Sequence, residues 1–197
     1  MKKMRFTPII SILTIGILVT TLNSCSKKSD NTTAMQTKID SLQMELKKFT
    51  DEKALTEMRL VRFDSLDFDF YSGQKWESLA ISHADNIKVY YPDGNITEGL
   101  APQHIDMLKP MFVFAPDTKI KKHPVKFGSG DWTCVIGEME GTFSQPMPIG
   151  NGKTIPPTGK KFKLSMATIG HWKEGKMTEE YLFWDNQAFM KQIGLAK

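Results

Sequence analysis

The chain has 197 residues, with 26 Lys and Arg against 22 Asp and Glu, and it contains only two cysteines. Two cysteines exclude a disulfide-rich scaffold and a cysteine-based metal site. No basic stripe with interleaved aromatic residues is present, so the sequence gives no reason to expect nucleic acid as a partner.

The N-terminal segment has the pattern of a secretory signal. Met1–Arg5 is basic, Phe6–Leu22 is almost wholly apolar, and the tetrapeptide Leu22-Asn23-Ser24-Cys25 follows. The first two features predict a signal peptide over residues 1–24, with a retained N-terminal membrane anchor as the alternative. The tetrapeptide resembles the lipobox of bacterial lipoproteins, whose cysteine is lipidated. We therefore expect a protein of the bacterial cell envelope, periplasm-facing or at the cell surface, held at the membrane through Cys25.

The sequence of residues 25–50 indicates a lipid anchor, a flexible tether and a helical stalk. Ser26–Thr33 is small and polar, as flexible tethers are. Apolar residues then recur with the 4-3-4-3 spacing of a helical seam over about two heptads, at Met35, Ile39, Leu42, Leu46 and Phe49. Such a stalk packs against its own domain or self-associates weakly.

Residues 51–197 are long enough for one domain with one core. Hydrophobic periodicity and turn residues predict helices first and strands later in this part of the chain. The predicted helices are Glu52–Tyr71, Gln74–Ser82, Leu100–Phe114 and Asn186–Ile193. The predicted strands are Ile87–Tyr91, Thr118–Phe127, Asp131–Phe143 and the two arms of a hairpin over Lys161–Asp185. This order indicates an α+β fold with a mostly antiparallel sheet.

The hairpin dominates the second half of the chain. A three-residue loop, Lys173-Glu174-Gly175, suits a type I turn closed by a glycine bulge. In that register His171 faces Met177 and Ile169 faces Glu179. A two-residue turn is the alternative, and it shifts the register by one.

Alternation along the two arms separates two faces of the hairpin. We interpret the mixed face as the wall of a ligand cavity, because it sets acids, a histidine and a phenol among apolar residues. Its substrate-binding candidates are Ile169, Met177, Tyr181 and Phe183, and its catalytic candidates are His171, Glu179 and Asp185. The other face is apolar enough to dock a partner or a second copy, through Phe162, Leu164, Met166, Leu182 and Trp184.

Several short motifs resemble those of the SnoaL-like polyketide and ester cyclases. Gly175-Lys176-Met177-Thr178-Glu179, Trp184-Asp185 and Gln192-Ile193-Gly194 are similar to the ending of that family. Ala115-Pro116-Asp117, Gly130-Asp131 and Glu140-Gly141-Thr142 are similar to motifs that precede it. The resemblance runs from about Glu52 to Gly194.

The resemblance implies the cone-shaped nuclear-transport-factor-2-like fold, a curved sheet wrapped around helices with a pocket inside. In the cyclases an acidic pocket residue acts as general acid and base in an intramolecular aldol closure, and no metal or organic cofactor takes part. Glu179 and Asp185 match acidic positions of the family. The family's His after "GT" is absent here, where the run is Gly141-Thr142-Phe143-Ser144-Gln145.

Each candidate has a structural alternative. His171 and Asp185 lie too far apart along the hairpin to form a pair, so a rim or interface role for His171 competes with catalysis. Glu179 is either an acid with a raised pKa or a partner of a lysine. Asp185 is either a pocket acid or the N-cap of the last helix. Tyr71 ends the first domain helix and is a further candidate for a polar contact with a ligand.

The remaining histidines, His83, His104 and His123, share no metal-ligand spacing, and we expect neither a metal nor an organic cofactor. Three functions stay open. The first is a membrane-anchored domain that binds a small apolar or amphipathic molecule in its cone. The second is a cofactor-free acid/base cyclase or isomerase, and the third is an interaction or homodimerisation module.

Overall fold

The computed structural model describes the backbone of residues 13–197 and the side chains from Asp30 onward. Two compact units are present, Met1–Asp51 and Glu52–Lys197. The signal peptide and lipidation site predicted at residues 1–25 lie outside the residues whose side chains are described. Within the described part of the chain, no helix is both long and apolar enough to cross a membrane.

Helix α1 (Leu13–Ser65) contains the segment that was predicted to be a flexible tether. Residues 17–65 include neither Gly nor Pro, so nothing in this stretch breaks the helical backbone hydrogen bonding. Ser26–Thr33, predicted to be a flexible tether, is part of this helix in the structure. In the first unit, the apolar residues of the predicted seam are all exposed, as in Met35 and Phe49.

The second unit begins within α1 and continues after it with short helical turns and two further helices. A π-helical turn (Leu66–Tyr71), a 3₁₀ turn (Trp76–Ile81) and a second π-helical turn (Leu100–His104) precede or join the longer elements, which are α2 (Ile105–Phe114) and α3 (Asn186–Gln192). The strands are β1 (His83–Tyr90), β2 (Ile96–Glu98), β3 (Lys119–Ile120), β4 (Val125–Ser129), β5 (Trp132–Thr142), β6 (Met147–Pro148), β7 (Thr154–Ile155), β8 (Lys161–Lys173) and β9 (Lys176–Phe183).

Seven strands form one sheet in the order β2-β1-β9-β8-β5-β3, with β4 also paired to β5. All neighbours are antiparallel except β1 and β9, which run parallel. Strands β6 and β7 make a separate two-stranded hairpin. This arrangement confirms the predicted α+β class with a mostly antiparallel sheet. The parallel pairing of β1 with β9 brings His83 beside the last strand.

The turn of the long hairpin is tighter than predicted. Glu174 and Gly175 both have positive φ, 51° and 80°, which is the backbone of a two-residue type I′ turn. Trp172 therefore pairs with Met177, and a bulge at Thr178 then sets His171 opposite Glu179 and Ile169 opposite Tyr181. The predicted three-residue loop and its register are wrong.

The two faces of the hairpin are also reversed relative to the prediction. The bulky apolar set predicted as an outer docking face points inward, with Phe162, Leu164 and Leu182 all buried. This face packs against the helices because burying larger apolar side chains stabilises the fold more than burying smaller ones. The residues predicted as an exposed docking face thus pack into the core, and the supposed cavity wall is largely the outer surface of the sheet.

The motifs that carry the family resemblance hold the backbone together. The carboxylate of Asp117 accepts hydrogen bonds from the backbone N–H and the hydroxyl of Thr142, both at 2.8 Å. Asp131 accepts one from the guanidinium of buried Arg59 at 2.9 Å. These contacts tie the loop after α2 to β5 and tie α1 to the β4–β5 turn. The motifs therefore predict the fold well without marking the site.

Candidate functional site

A cavity of about 180 Å³ lies inside the second unit, between the inner face of the sheet and the helices. Its walls are mainly apolar, which favours an apolar occupant. The apolar lining includes Leu66, Leu79, Leu108, Met111, Met139, Met166, Leu182 and Trp184. Five buried polar residues also line it, at Asp67, His83, His104, Thr168 and Glu180.

His83 is the first residue of β1 and is 1% exposed. Its Nδ1 lies 3.1 Å from the carbonyl oxygen of Leu79, and because a carbonyl only accepts, Nδ1 carries the proton and donates it. The opposite ring atom, Nε2, is buried and has no hydrogen-bond partner among the described residues. The backbone thus fixes the ring while leaving one nitrogen unused.

His104 ends the turn before α2 and approaches the same point from the opposite side. Its Nδ1 lies 2.7 Å from the hydroxyl of Tyr91, which is also 3.5 Å from Thr97 Oγ1. Burial lowers the pKa of His104 to about 4, although the charge of Glu180 acts in the other direction. Burial also raises the pKa of Tyr91 to about 12. Both groups are therefore neutral at pH 7, and Tyr91 keeps its hydroxyl proton.

Glu180 lies on β9 and faces inward between the two histidines. Its Oε2 is 3.5 Å from His104 Nε2 and 3.7 Å from His83 Nε2. Burial raises the pKa of Glu180, but the neighbouring imidazoles of His83 and then His104 lower it by more, so the carboxylate is the favoured form. Oε2 has no hydrogen-bond partner within the described structure. Such a buried polar atom is costly unless something satisfies it.

A second group of titratable residues lies on the helical side of the cavity. His123 donates from Nδ1 and Nε2 to Asp64 and Asp67, each at 2.8 Å. Burial raises the pKa of Asp67, partly opposed by His123, whereas hydrogen bonds from Lys126 and His123 outweigh burial and lower the pKa of Asp64. Of these two carboxyl groups, only Asp67 lines the cavity. It is the better acid candidate because its protonated form persists to a higher pH.

Most of the site residues predicted from the sequence lie elsewhere. Glu179 and His171 face each other on the outer side of the sheet at 3.5 Å and are about one-third exposed. Tyr181 stacks there on Tyr90 with ring centroids 4.3 Å apart. Phe183 is exposed, Ile169 shares this outer face, and Met177 is wholly buried in the core. Their predicted placement around a cavity is wrong, because the hairpin faces the other way.

Two of the predicted residues, Tyr71 and Asp185, lie where the sequence analysis allowed for them. Tyr71 lines the cavity, as expected, and its hydroxyl lies 3.6 Å from the sulfur of Met139. Asp185 is the N-cap of α3 and accepts a hydrogen bond from the Ala188 N–H at 2.9 Å. The capping alternative for Asp185 is confirmed, and this residue does not line the cavity.

The sequence reasoning missed His83, His104, His123, Asp67 and Glu180. One signal could have found Glu180: it shares parity with Leu182 on β9 and with Trp184 directly after the strand, and both of these large apolar residues face inward. The histidines carry no such signal, because their proximity depends on the parallel β1–β9 pairing and on the turn before α2.

The sequence model of the family described as SnoaL-like polyketide cyclase matches residues 65–193 of this chain. A comparison with curated proteins found no match. Among solved structures, a candidate SnoaL-like polyketide cyclase of Jannaschia sp. CCS1 is similar, with 18% identity and a TM-score of 0.62. The similarity covers 73% of this chain and 96% of that one.

Two further solved structures have the same fold. IdmH of Streptomyces antibioticus, a candidate polyketide cyclase, has 19% identity and a TM-score of 0.58 over 69% of this chain and 98% of its own. A candidate polyketide cyclase of Acidithiobacillus ferrooxidans has 20% identity and a TM-score of 0.55 over 71% and 94%. At these identities the similarity establishes the fold alone.

Proposed function

The chain belongs to the SnoaL-like polyketide cyclase family, and from this premise we propose that its domain binds a small, largely apolar molecule in the internal cavity. The observation that carries the proposal is a cavity with apolar walls and, at one end, buried polar atoms of His83 and Glu180 that lack partners. A ligand with one polar group on an apolar body matches this division.

The cavity volume supports a ligand of one ring or more. An engineered apolar cavity of about 150 Å³ is large enough to hold benzene, and this one measures about 180 Å³. Met107 and Asp93 line its outer end and are both exposed, so the cavity opens to solvent there. A molecule longer than one ring could extend through this opening.

Native mass spectrometry of the full chain, purified in mild detergent from its own host, tests the proposal. We expect an added mass that disappears on denaturation. Met166→Phe places a larger side chain in the cavity wall and should remove the added mass, whereas Met58→Phe, on an exposed position of α1, should keep it. An unliganded wild-type chain, or equal retention in both variants, would contradict the proposal.

A second candidate function is cofactor-free acid/base chemistry of the cyclase or isomerase type. Asp67 favours it, because a buried carboxyl group with a raised pKa faces the cavity and is held by His123. With an identified ligand, Asp67→Asn should slow turnover by about 10²- to 10⁴-fold while binding persists. Asp64→Asn removes the other partner of His123 and should leave most of the turnover. Equal losses in the two variants would argue against Asp67 as the acid.

Membrane attachment through lipidated Cys25 is part of the proposal. Its support is the sequence alone, in the basic start, the apolar run and the Leu22–Cys25 tetrapeptide. We expect Cys25→Ser to move the protein from the membrane fraction to the soluble fraction of its host. A variant that stays with the membrane would point instead to a retained N-terminal anchor.

A further inference from the structure

We propose that His83, His104 and Glu180 form a binding site for a divalent first-row transition metal ion such as zinc. Among the described residues, these are the ones whose ligand atoms gather at one point, all within 4.8 Å of one another. The inference goes beyond the binding of an apolar molecule and does not depend on it.

The spacing of the three side chains suits a metal better than it suits direct hydrogen bonds. Glu180 Oε2 lies 3.5 and 3.7 Å from the two imidazole Nε2 atoms, beyond good hydrogen-bonding distance. Ligands bound tetrahedrally to zinc at about 2.0–2.1 Å lie roughly 3.3 Å from each other. Small side-chain movements therefore bring all three atoms into a zinc coordination shell.

The outer hydrogen bonds of both histidines direct the same nitrogen towards the centre. His83 Nδ1 donates to the Leu79 carbonyl, which leaves the Nε2 lone pair for a metal in the neutral ring. His104 Nδ1 is 2.7 Å from Tyr91, whose hydroxyl can in turn donate to Thr97. Metal-binding histidines are held in this way, with the second ring nitrogen bonded to a backbone carbonyl or other polar group.

The metal would satisfy atoms that nothing else in the described structure satisfies. His83 Nε2 and Glu180 Oε2 are both buried and without hydrogen-bond partners. Two imidazoles and one carboxylate are ligands for zinc or iron(II), whereas magnesium and calcium prefer oxygen ligands. Because all three side chains line the cavity, the remaining coordination position would face it and could accept water or the polar group of a ligand.

The test is an equilibrium titration of the metal-stripped full chain, in mild detergent, with zinc against a chromophoric chelator. We expect one zinc per chain with a dissociation constant on the order of 1 µM or tighter. Magnesium in large excess should not compete. Binding weaker than about 100 µM would overturn the proposal, since that is the range of incidental surface sites.

Variants separate this cluster from ordinary histidine–carboxylate pairs. Glu180→Gln should weaken zinc binding by about 100-fold, and Tyr91→Phe, which loosens His104, by about 10-fold. The matched controls Glu179→Gln and His171→Gln alter a pair with the same 3.5 Å separation on the outer face and should bind as the wild type does. Equal zinc affinity in Glu180→Gln and the wild type would overturn the proposal.

One measurement is independent of how well the variants fold. Anomalous scattering at the zinc absorption edge, from crystals of the wild-type chain, should show a peak between His83, His104 and Glu180. A peak only at surface residues, or none, would overturn the assignment. In the native spectrum of the host-purified protein, an added mass larger than that of a zinc ion tests the small-molecule proposal separately, so the failure of one proposal is distinguishable from failure of the other.

Discussion

Neighbouring residues of β9 place the same chemical pair on opposite faces of the sheet. Glu179 lies 3.5 Å from His171 on the outer face, and Glu180 lies 3.5 Å from His104 on the inner face. The outer side chains are 36% and 32% exposed, and the inner ones 6% and 3%. The residue types and separations match, so burial is the main difference between the two pairs.

Burial changes what each pair can do. On the outer face, both side chains are about one-third exposed, so solvent screens the pair and it contributes little to stability. On the inner face the side chains are only 3% and 6% exposed to solvent. Each buried polar atom that lacks a hydrogen-bond partner there lowers the stability of the fold. A bound ligand would therefore stabilise the buried inner pair more than it would stabilise the screened outer pair. Residue type alone led to Glu179 and His171 as candidates, and both lie on the outer face.

The largest difference between the faces should appear in the loss of stability when a tryptophan of each face is replaced by alanine. Trp172 is 1% exposed, packs on Phe63 and donates its indole N–H to Thr133, while Trp132 on the outer face is 43% exposed. Trp172→Ala should lower the free energy of unfolding by about 3–5 kcal/mol, and Trp132→Ala by about 1 kcal/mol or less. Chemical denaturation measures both. Similar losses would mean that the inner and outer faces have been assigned wrongly.

The next effect concerns pH and the cluster on the helical side of the cavity. Burial lowers the pKa of His123, but Asp67 and Asp64 raise it by more, above its ordinary 6.5. Because the pKa of His123 is higher in the folded state, its protonation stabilises the protein fully below pH 6.5. This stabilisation is lost as the pH rises through the folded-state pKa of His123. The pKa of Asp64 is lowered, so its contribution is present above pH 3.8 and is lost on acidification.

Substitution of His123 should remove this pH dependence. The titratable groups around it are Asp64, Asp67 and, through Asp64, Lys126. His123→Gln should cost about 1.5–3 kcal/mol near pH 6 and less at pH 9, because hydrogen bonds to a charged group are lost only where the group is charged. Unfolding titrations at the two pH values measure this. A constant loss across pH would mean that His123 is neutral when folded.

A smaller effect tests whether Asp185 belongs to the cavity or to the helix end. As the N-cap of α3 its carboxylate satisfies a backbone N–H, so Asp185→Ala should cost about 1 kcal/mol. Asp185→Asn should retain most of that stability, because asparagine also caps helices well. Neither variant should alter ligand or zinc binding. A binding defect with unchanged stability would return Asp185 to the site.

The smallest effect should be the coupling between His171 and Glu179. Their exposure leaves the pair screened by water, so a double-mutant cycle with His171→Gln and Glu179→Gln should give a coupling below about 1 kcal/mol. Unfolding free energies of the four proteins provide the value. A much larger coupling would remove the contrast between the two faces.

The sequence predicted the elements of the fold better than their arrangement. Alternation and turn residues located the strands of the long hairpin to within two residues, and Asp185 carried a capping signal. The turn at Glu174 and Gly175 and the bulge together shift the pairing by two residues, which leaves the alternation unchanged. The inward face was missed because the mixed face, with its acids, histidine and phenol, was taken for the cavity wall. The bulk of the side chains was the better guide to the inner face.

The site was predictable only in small part. Tyr71 was placed at the cavity, but the histidine–glutamate cluster combines residues separated by up to 97 positions, since His83 and Glu180 meet through parallel pairing of β1 with β9. No spacing motif links such residues. A polar residue of the right parity in an apolar strand, as Glu180 is, remains the one local signal.

The central claim is that the inner face holds the functional site at His83, His104 and Glu180. A crystal structure of the protein purified from its own host tests it most directly. We predict non-protein density at this end of the cavity, in contact with at least two of the three side chains. A cavity filled by side chains alone, with His83 Nε2 and Glu180 Oε2 in a direct hydrogen bond of about 3 Å, would contradict the account.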